Sequence, residues 1–301
     1  PQEFKKETAD LLDQLAENKL NLGHPEQAQA LHHEAGLLRD EDDPGLFYID
    51  ARSALRTGDL DHGRALLEDH LRMEKSLNKD RPQRFHREAS LLLSLICIFQ
   101  GDWEAAKQNA LDGIKIGQHL NSSFVEAVGY IRLGHAYEIQ GTVYHQQNLL
   151  AKAIESYKLA IEKVRLFKVT RVQVEPLWAL SRSYGFQGNI LEANKYANDA
   201  MKISEQAGDK WLFNLVLISL GSSHFYIGQL EEAKVIFSEA IEGFKQVQDS
   251  FGLAAALMWK MIVHWYDGES DEALRILRQL IPLIKAGNYS YLFIKPTYLG
   301  L

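Results

Sequence analysis

The stretch at residues 228–240 reads GQLEEAKVIFSEA. A glycine comes first, and Ala233, Phe237 and Ala240 follow at i, i+4 and i+7, which is one face of a helix. Glu231 and Glu232 stand just inside the helix start, where carboxylates favour the helix dipole. The pattern appears upstream as GNILEANKYANDA, with Gly188, Ala193, Ala197 and Ala200. It appears again as NLLAKAIESYKLA, with Asn148, Ala153, Tyr157 and Ala160. Downstream, GESDEALRILRQL carries Gly268, Ala273, Leu277 and Leu280. Positions 148, 188, 228 and 268 are 40 residues apart. A fixed period of this length predicts a solenoid of stacked helix pairs, in which each unit contacts only its neighbours.

Taken in order, residues 3–21 and 25–38 predict the first helix pair. Gly23 closes its first helix, and Pro25 sits at the first position of the second, where a missing N–H costs nothing. The run RDEDD at 39–43 predicts a turn, with Asp43 as cap and Pro44 opening the next helix. Further turns are expected at 58, 101, 141 or 148, 188, 228 and 268. Gly63 stands where the first alanine of its repeat would be, still a small residue. Asp59, Asp102 and Asp209 read as caps, and the third pair opens at Pro82. Between Gly141 and Asn148 the segment TVYHQQN is a seven-residue insertion, equivalent to two extra turns of helix. Pro176 predicts a helix that starts near Glu175 or is kinked there, and Pro282 a bent one. The strand-like FKVTRVQVE is short and falls at an expected helix-to-helix turn.

The resulting fold class is all-α, an α–α superhelix of about seven helix pairs in one body over residues 1–301. The pairs are expected near 3–38, 43–76, 82–120, 122–167, 170–207, 209–248 and 250–287, with 288–301 starting a further unit. The chain begins at Pro1 and ends on the apolar YLFIKPTYLGL, so it reads as a fragment of a longer protein. A net charge of −7 argues against a surface that tracks phosphates over its whole length. The one cysteine, Cys97, lies in the apolar run SLLLSLICIF and reads as a small buried hydrophobe. A lone cysteine gives no disulfide framework, and PQEFKKETADLLDQ has no apolar signal segment. The longest apolar run is about ten residues, too short to cross a bilayer. A soluble, cytoplasmic protein is the expectation.

The repeats resemble the tetratricopeptide repeat, whose signature is a small residue and an aromatic in the first helix, then Ala, aromatic and Ala in the second. Residues 134–160, 181–200 and 221–240 carry it best, through Gly134 and Tyr137, Tyr184, and Gly221 with Phe237. His70, Gly113 and Leu280 replace the last alanine in other repeats. The common period is about 34, so longer helices and turns are expected here. The longer form, with turns SEQAGDKWLFN and KQVQDSFGLA and the ending NYSYLFIKPTYLGL, resembles the MalT-like repeat region of large LuxR-type or STAND bacterial transcriptional activators. That resemblance implies a sensor arm that binds a protein, a peptide or a small-molecule inducer and controls self-association. The nucleotide switch and the DNA-binding helix-turn-helix would lie elsewhere in the polypeptide. This chain has neither G-x-x-x-x-G-K-[ST] nor a basic recognition helix, so direct nucleic-acid binding is not expected of it. Peptide-pheromone receptors also use long tetratricopeptide arrays, and a general interaction scaffold is a further alternative.

In tetratricopeptide arrays the first helix of each pair lines a concave groove. By that resemblance His135, Glu138, Trp178, Arg182, Ser222, Phe225, Tyr226 and Trp265 line a ligand or peptide site. Inter-repeat packing is the competing reading for each. Arg182 stands out, because a charge on that face needs a partner. A ligand with an anionic group and an apolar body is expected, and Arg182→Ala should weaken it with little loss of stability. Metal chemistry finds little support. His32 and His33 are adjacent on a helix and point about 100° apart, so they cannot easily share an ion. His135 and His145 flank a turn. Neither H-E-x-x-H, paired C-x-x-C nor G-x-S-x-G occurs. No catalytic residue, cofactor or metal is expected, and the protein is not expected to be an enzyme.

Overall fold

The small residues of the repeat are the points of closest helix approach. Ala153, Ala160, Ala193, Ala200, Ala233 and Ala240 are fully buried, as are Tyr157 and Phe237 between them. These positions come from a computed structural model, which describes residues 2–21, 24–39, 46–77, 84–165 and 170–287. Fourteen helices and no strand are found among the described residues. They form successive antiparallel pairs: α1 (Gln2–Asn21) with α2 (Pro25–Leu37), α3 (Leu46–Thr57) with α4 (Leu60–Leu77), and α5 (Arg84–Gln100) with α6 (Trp103–His119). The series continues with α7 (Ser123–Val143) and α8 (Gln147–Val164), then α9 (Thr170–Phe186) and α10 (Ile190–Ala207). It ends with α11 (Lys210–Tyr226) and α12 (Leu230–Gln246), then α13 (Ser250–Tyr266) and α14 (Ser270–Gly287).

Each helix packs on its hairpin partner and on the next helix in the chain. The odd-numbered helices also touch one another in series, from α1 to α3 through α11 to α13, so they form the inner layer. The solenoid winds far enough for its second and third hairpins to meet the seventh. Helix α3 contacts α13, and the Phe99 ring on α5 lies 4.6 Å from Phe251 at the start of α13. The superhelix is therefore pinned by an aromatic contact between its third and seventh hairpins.

Glycine is required where the first helix of a hairpin must end. Gly188, Gly228 and Gly268 have φ of 76°, 80° and 79°, a left-handed conformation that a Cβ penalises. In the fourth hairpin the expected turn at Gly141 does not occur. Gly141 lies inside α7, close against Leu149 and Leu150, and the left-handed residue is His145, with φ 53°. The insertion TVYHQQN extends the hairpin: α7 has 21 residues where α9, α11 and α13 have 17. Its turn moves outward while Gly134 and Tyr157 keep their places. Asp102, Ser122, Asn189, Asp209 and Asp249 cap the helices that follow them by accepting from backbone N–H groups. Helix α9 begins at Thr170 rather than near Glu175, so most of FKVTRVQVE is helical and Pro176 is tolerated inside a helix, as is Pro282. Gly63 and Gly113 are small for a reason: a Cβ on Gly113 would lie 2.2 Å from Leu91. Cys97 is fully buried, and burial pushes its thiol up to about 11, as an inert core residue requires. Gly23, Asp43, Pro44, Pro82 and residues 288–301 lie outside the described residues.

The amino-terminal hairpin is held by charge. The buried Asp13 of α1 accepts from Arg39 and lies 3.2 Å from His32 Nδ1, while His32 Nε2 faces Asp50 of α3 at 3.4 Å. Burial would lower the imidazole pKa, but the two aspartates overcome it and push the group up to about 9. His32 thus ties α1, α2 and α3 together, while His33 is exposed.

Candidate functional site

The inner face of α7 and α9 carries a continuous polar network. Arg182 on α9 forms a two-pronged pair with Glu138 on α7, Nε to Oε1 at 2.5 Å and Nη2 to Oε2 at 2.6 Å. Tyr157 of α8 donates its hydroxyl to Glu138 Oε2 at 2.7 Å. His135 Nδ1 lies 2.8 Å from that hydroxyl, and its Nε2 lies 3.2 Å from Glu175. Arg132 donates to the same Glu175 oxygen at 2.5 Å. Trp178 stacks with the His135 ring at 5.3 Å and has the Arg182 guanidinium 4.7 Å from its ring centre.

Burial governs the electrostatics here. Glu138 is 1% exposed. Burial alone would push its carboxyl up, but the Arg182 charge and hydrogen bonds, with His135 beside them, hold it well below the usual carboxylate range. Burial and the neighbouring Glu138 push the Tyr157 phenol well above its ordinary value, so it stays protonated and donates. Every charge in the cluster is matched by an internal partner.

The inner ends of α9, α11 and α13 differ. Phe186, Phe225 and Tyr226 are half-buried, Trp265 is 39% exposed and Tyr266 55% exposed. Phe186 meets Tyr226 edge-on at 5.0 Å, Tyr226 meets Phe225 at 5.4 Å, and Phe225 meets Tyr266 edge-on at 5.2 Å. Trp259 lies beneath, 5.9 Å from Phe225 and 6.0 Å from Phe237. Beside this row, Glu231, Asp267 and Glu269 bring carboxylate oxygens within 4.8 Å of one another. Lys234 already answers them, bonding Asp267, Glu231 at 2.8 Å and Glu269 at 3.0 Å.

The eight residues expected at the site therefore divide. His135, Glu138, Trp178 and Arg182 are brought together, but as an inter-repeat cluster whose charges are paired with one another. Ser222 is fully buried and donates to the Ser219 carbonyl, so it lies under the surface and not on it. Phe225, Tyr226 and Trp265 remain accessible. Arg182 holds the buried Glu138 carboxylate bidentately, so its replacement at little cost in stability is no longer expected. Sequence reasoning passed over Arg132 and Glu175, and took Tyr157 for a packing residue only. The signal for Tyr157 was present: a hydroxyl at a position that repeats six and four both bury needs a partner, and phenylalanine serves at 237.

A tetratricopeptide repeat model matches residues 134–162, the end of α7 and nearly all of α8. No curated protein matches the sequence. Among solved structures, a Rap protein complexed with competence and sporulation factor superposes with a TM-score of 0.68 at 12% identity, over 95% of this chain and 79% of that one. NprR in complex with its cognate peptide NprX gives 0.61 at 18% identity, over 94% and 82%. A signal-transduction ATPase with numerous domains (STAND) carrying a tetratricopeptide repeat sensor, from Pyrococcus horikoshii, gives 0.57 at 15% identity, over 94% of this chain and 42% of that one. The chain is thus a tetratricopeptide-like helical solenoid, an interaction fold, and no helix among the described residues is long and apolar enough to cross a membrane.

Proposed function

We propose that this solenoid is the sensing module of a bacterial transcriptional activator, working in the cytoplasm. Its inner face takes a protein segment, a peptide or a small inducer, and occupancy controls self-association. The observation that carries the reading is the accessible aromatic row from Phe186 to Tyr266 on an otherwise closely packed frame. Exposed aromatic surface on rigid helices is what a recognition site presents. The charges of the neighbouring α7–α9 cluster are paired with one another, which leaves the aromatic row as the surface for recognition. The tetratricopeptide sensor of the STAND protein supports it. A second reading, a peptide-pheromone receptor arm, is favoured by the peptide partners named for the Rap and NprR structures.

Thermal-shift screening of peptides and metabolites tests both readings, since a ligand selective for the native state raises Tm. Trp265→Ala and Tyr266→Ala should abolish the shift of any hit while leaving the unliganded Tm in place. A hit whose shift survives both changes would put the site elsewhere. Peptide hits alone favour the receptor arm, and metabolite hits favour the inducer sensor. Sedimentation velocity with and without the hit reads the change in self-association.

A further inference from the structure

We propose that the hairpin tips at the carboxy-terminal end of the solenoid form a track for one extended protein segment bearing arginine or lysine. The proposal rests on the binding reading above and adds the path and the charge of the ligand. Phe186, Tyr226 and Tyr266 each stand two residues before a left-handed glycine, at 188, 228 and 268. Three successive inner helices therefore place an aromatic ring at the same level, and Phe225 bridges the last two rings. Packed helices lie about 8–10 Å apart, so two intervals span roughly 16–20 Å. An extended chain covers that distance in about five or six residues, at ~3.3 Å each. The track suits a peptide strand better than a compact metabolite.

Its charge points one way. The tips at residues 226–232 and 266–272 contain Glu231, Glu232, Asp267, Glu269, Asp271 and Glu272, and no lysine or arginine. The basic groups that face them are Lys234, shared among three carboxylates, Arg275, paired with Glu272, and Lys260, whose charge also acts on Glu272. His264 meets Glu269. Glu232 and Asp271 stay exposed, so the tips keep a negative surplus beside open ring faces. A guanidinium seated over Tyr266 or Trp265 gains cation–π attraction and reaches a carboxylate from the same place. A nucleic acid would bring phosphates against these carboxylates and is disfavoured. The cations described on the α7–α9 inner face that could have drawn an anion are already held, Arg182 by Glu138 and Arg132 by Glu175. The expected anionic ligand thus gives way to a cationic one.

The test uses the whole chain and fluorescein-labelled hexapeptide pools of equal apolar content, with arginine, glutamine or glutamate at alternate positions, read by anisotropy. The arginine pool should bind at least tenfold more tightly than the glutamate pool, and 300 mM salt should weaken it severalfold. Tyr266→Ala, at an exposed position, should reduce arginine-pool affinity about fivefold or more, and Glu232→Lys with Asp271→Lys should do the same with unchanged circular dichroism. Equal or tighter binding of the glutamate pool overturns the charge assignment but leaves the peptide-binding reading standing. Arginine-pool binding that ignores both sets of changes overturns the track. Failure of every pool to bind the folded chain overturns the track together with the peptide form of the function proposed above.

Discussion

Gly134 and Gly221 occupy the same place in their hairpins, and each leaves room for a ring from the partner helix. A Cβ on Gly134 would lie 2.4 Å from Tyr157, and one on Gly221 would lie 2.8 Å from Phe237. From that shared frame the two regions diverge. Four residues on, the fourth hairpin has Glu138 and the sixth has Phe225. The ring beneath is a tyrosine in one and a phenylalanine in the other. The α7–α9 junction closes through a buried carboxylate with three side-chain partners. The α11–α13 junction stacks rings, needs no partner, and leaves surface over. One backbone arrangement thus supports a polar lock that is expensive to break and an aromatic lip that is inexpensive to change. The first is built for stability, and the second is where we propose that recognition occurs.

The comparison breaks most visibly at Arg182. Arg182→Ala leaves the buried Glu138 charge without its main partner and should destabilise by about 3–5 kcal/mol in urea denaturation. Combining Arg182→Met with Glu138→Leu removes both charges and should recover most of that loss. An unchanged midpoint for Arg182→Ala alone would mean that the two junctions do not differ in kind.

A smaller effect comes from exchanging the two rings. Phe237→Tyr buries a hydroxyl beside Gly221 and Trp259 and should cost about 1–3 kcal/mol, the penalty for an unsatisfied buried group. Tyr157→Phe takes a donor from Glu138 and a partner from His135, and should cost about 1–2 kcal/mol. If both variants keep the wild-type denaturation midpoint, the hydroxyl is not what distinguishes the regions.

Acid sharpens the contrast. The Glu138 carboxyl is held below its ordinary value of 4.5, so its contribution is fully present above that pH and is lost as pH falls toward the folded value. The stability gap between wild type and Arg182→Met/Glu138→Leu should narrow from pH 5 to pH 3, while Phe225→Leu shows no such trend. The amino-terminal hairpin has the opposite sign. His32 is raised from 6.5 to about 9, so its contribution is full below pH 6.5 and is lost as pH rises through 9. His32→Gln should flatten the stability profile over that window, as denaturation at pH 6, 7.5 and 9 would reveal.

The smallest expected effect on stability is at the lip. Tyr266 is 55% exposed, and Tyr266→Ala should change the midpoint by no more than about 0.5 kcal/mol. A larger loss would make Tyr266 a packing residue and erase the division of labour between the two regions.

The solenoid was legible because its information is local. A small residue at a close approach and a ring four positions later lie on one helix, so a single strand of text carries Ala233 and Phe237 together. The caps at Asp102 and Asp209 were readable for the same reason, since each bonds a backbone group three residues away. The site was only half legible. Phe225, Tyr226 and Trp265 were found from their place on the first helix of each pair, but Arg132 and Glu175 were passed over. The partner of Glu138 is 44 residues away on another hairpin, and no spacing rule connects them. Whether Arg182 awaits a ligand or is already paired depends on which side chains the stacked helices bring within 3 Å. The shift of a turn from Gly141 to His145 and the meeting of Phe99 with Phe251 are of the same kind. The sequence by itself determined where helices begin, end and press together, because those are contacts between near neighbours along the chain. The tertiary structure decided which charges are spent and which rings stay open, because burial and pairing arise only once distant hairpins are stacked.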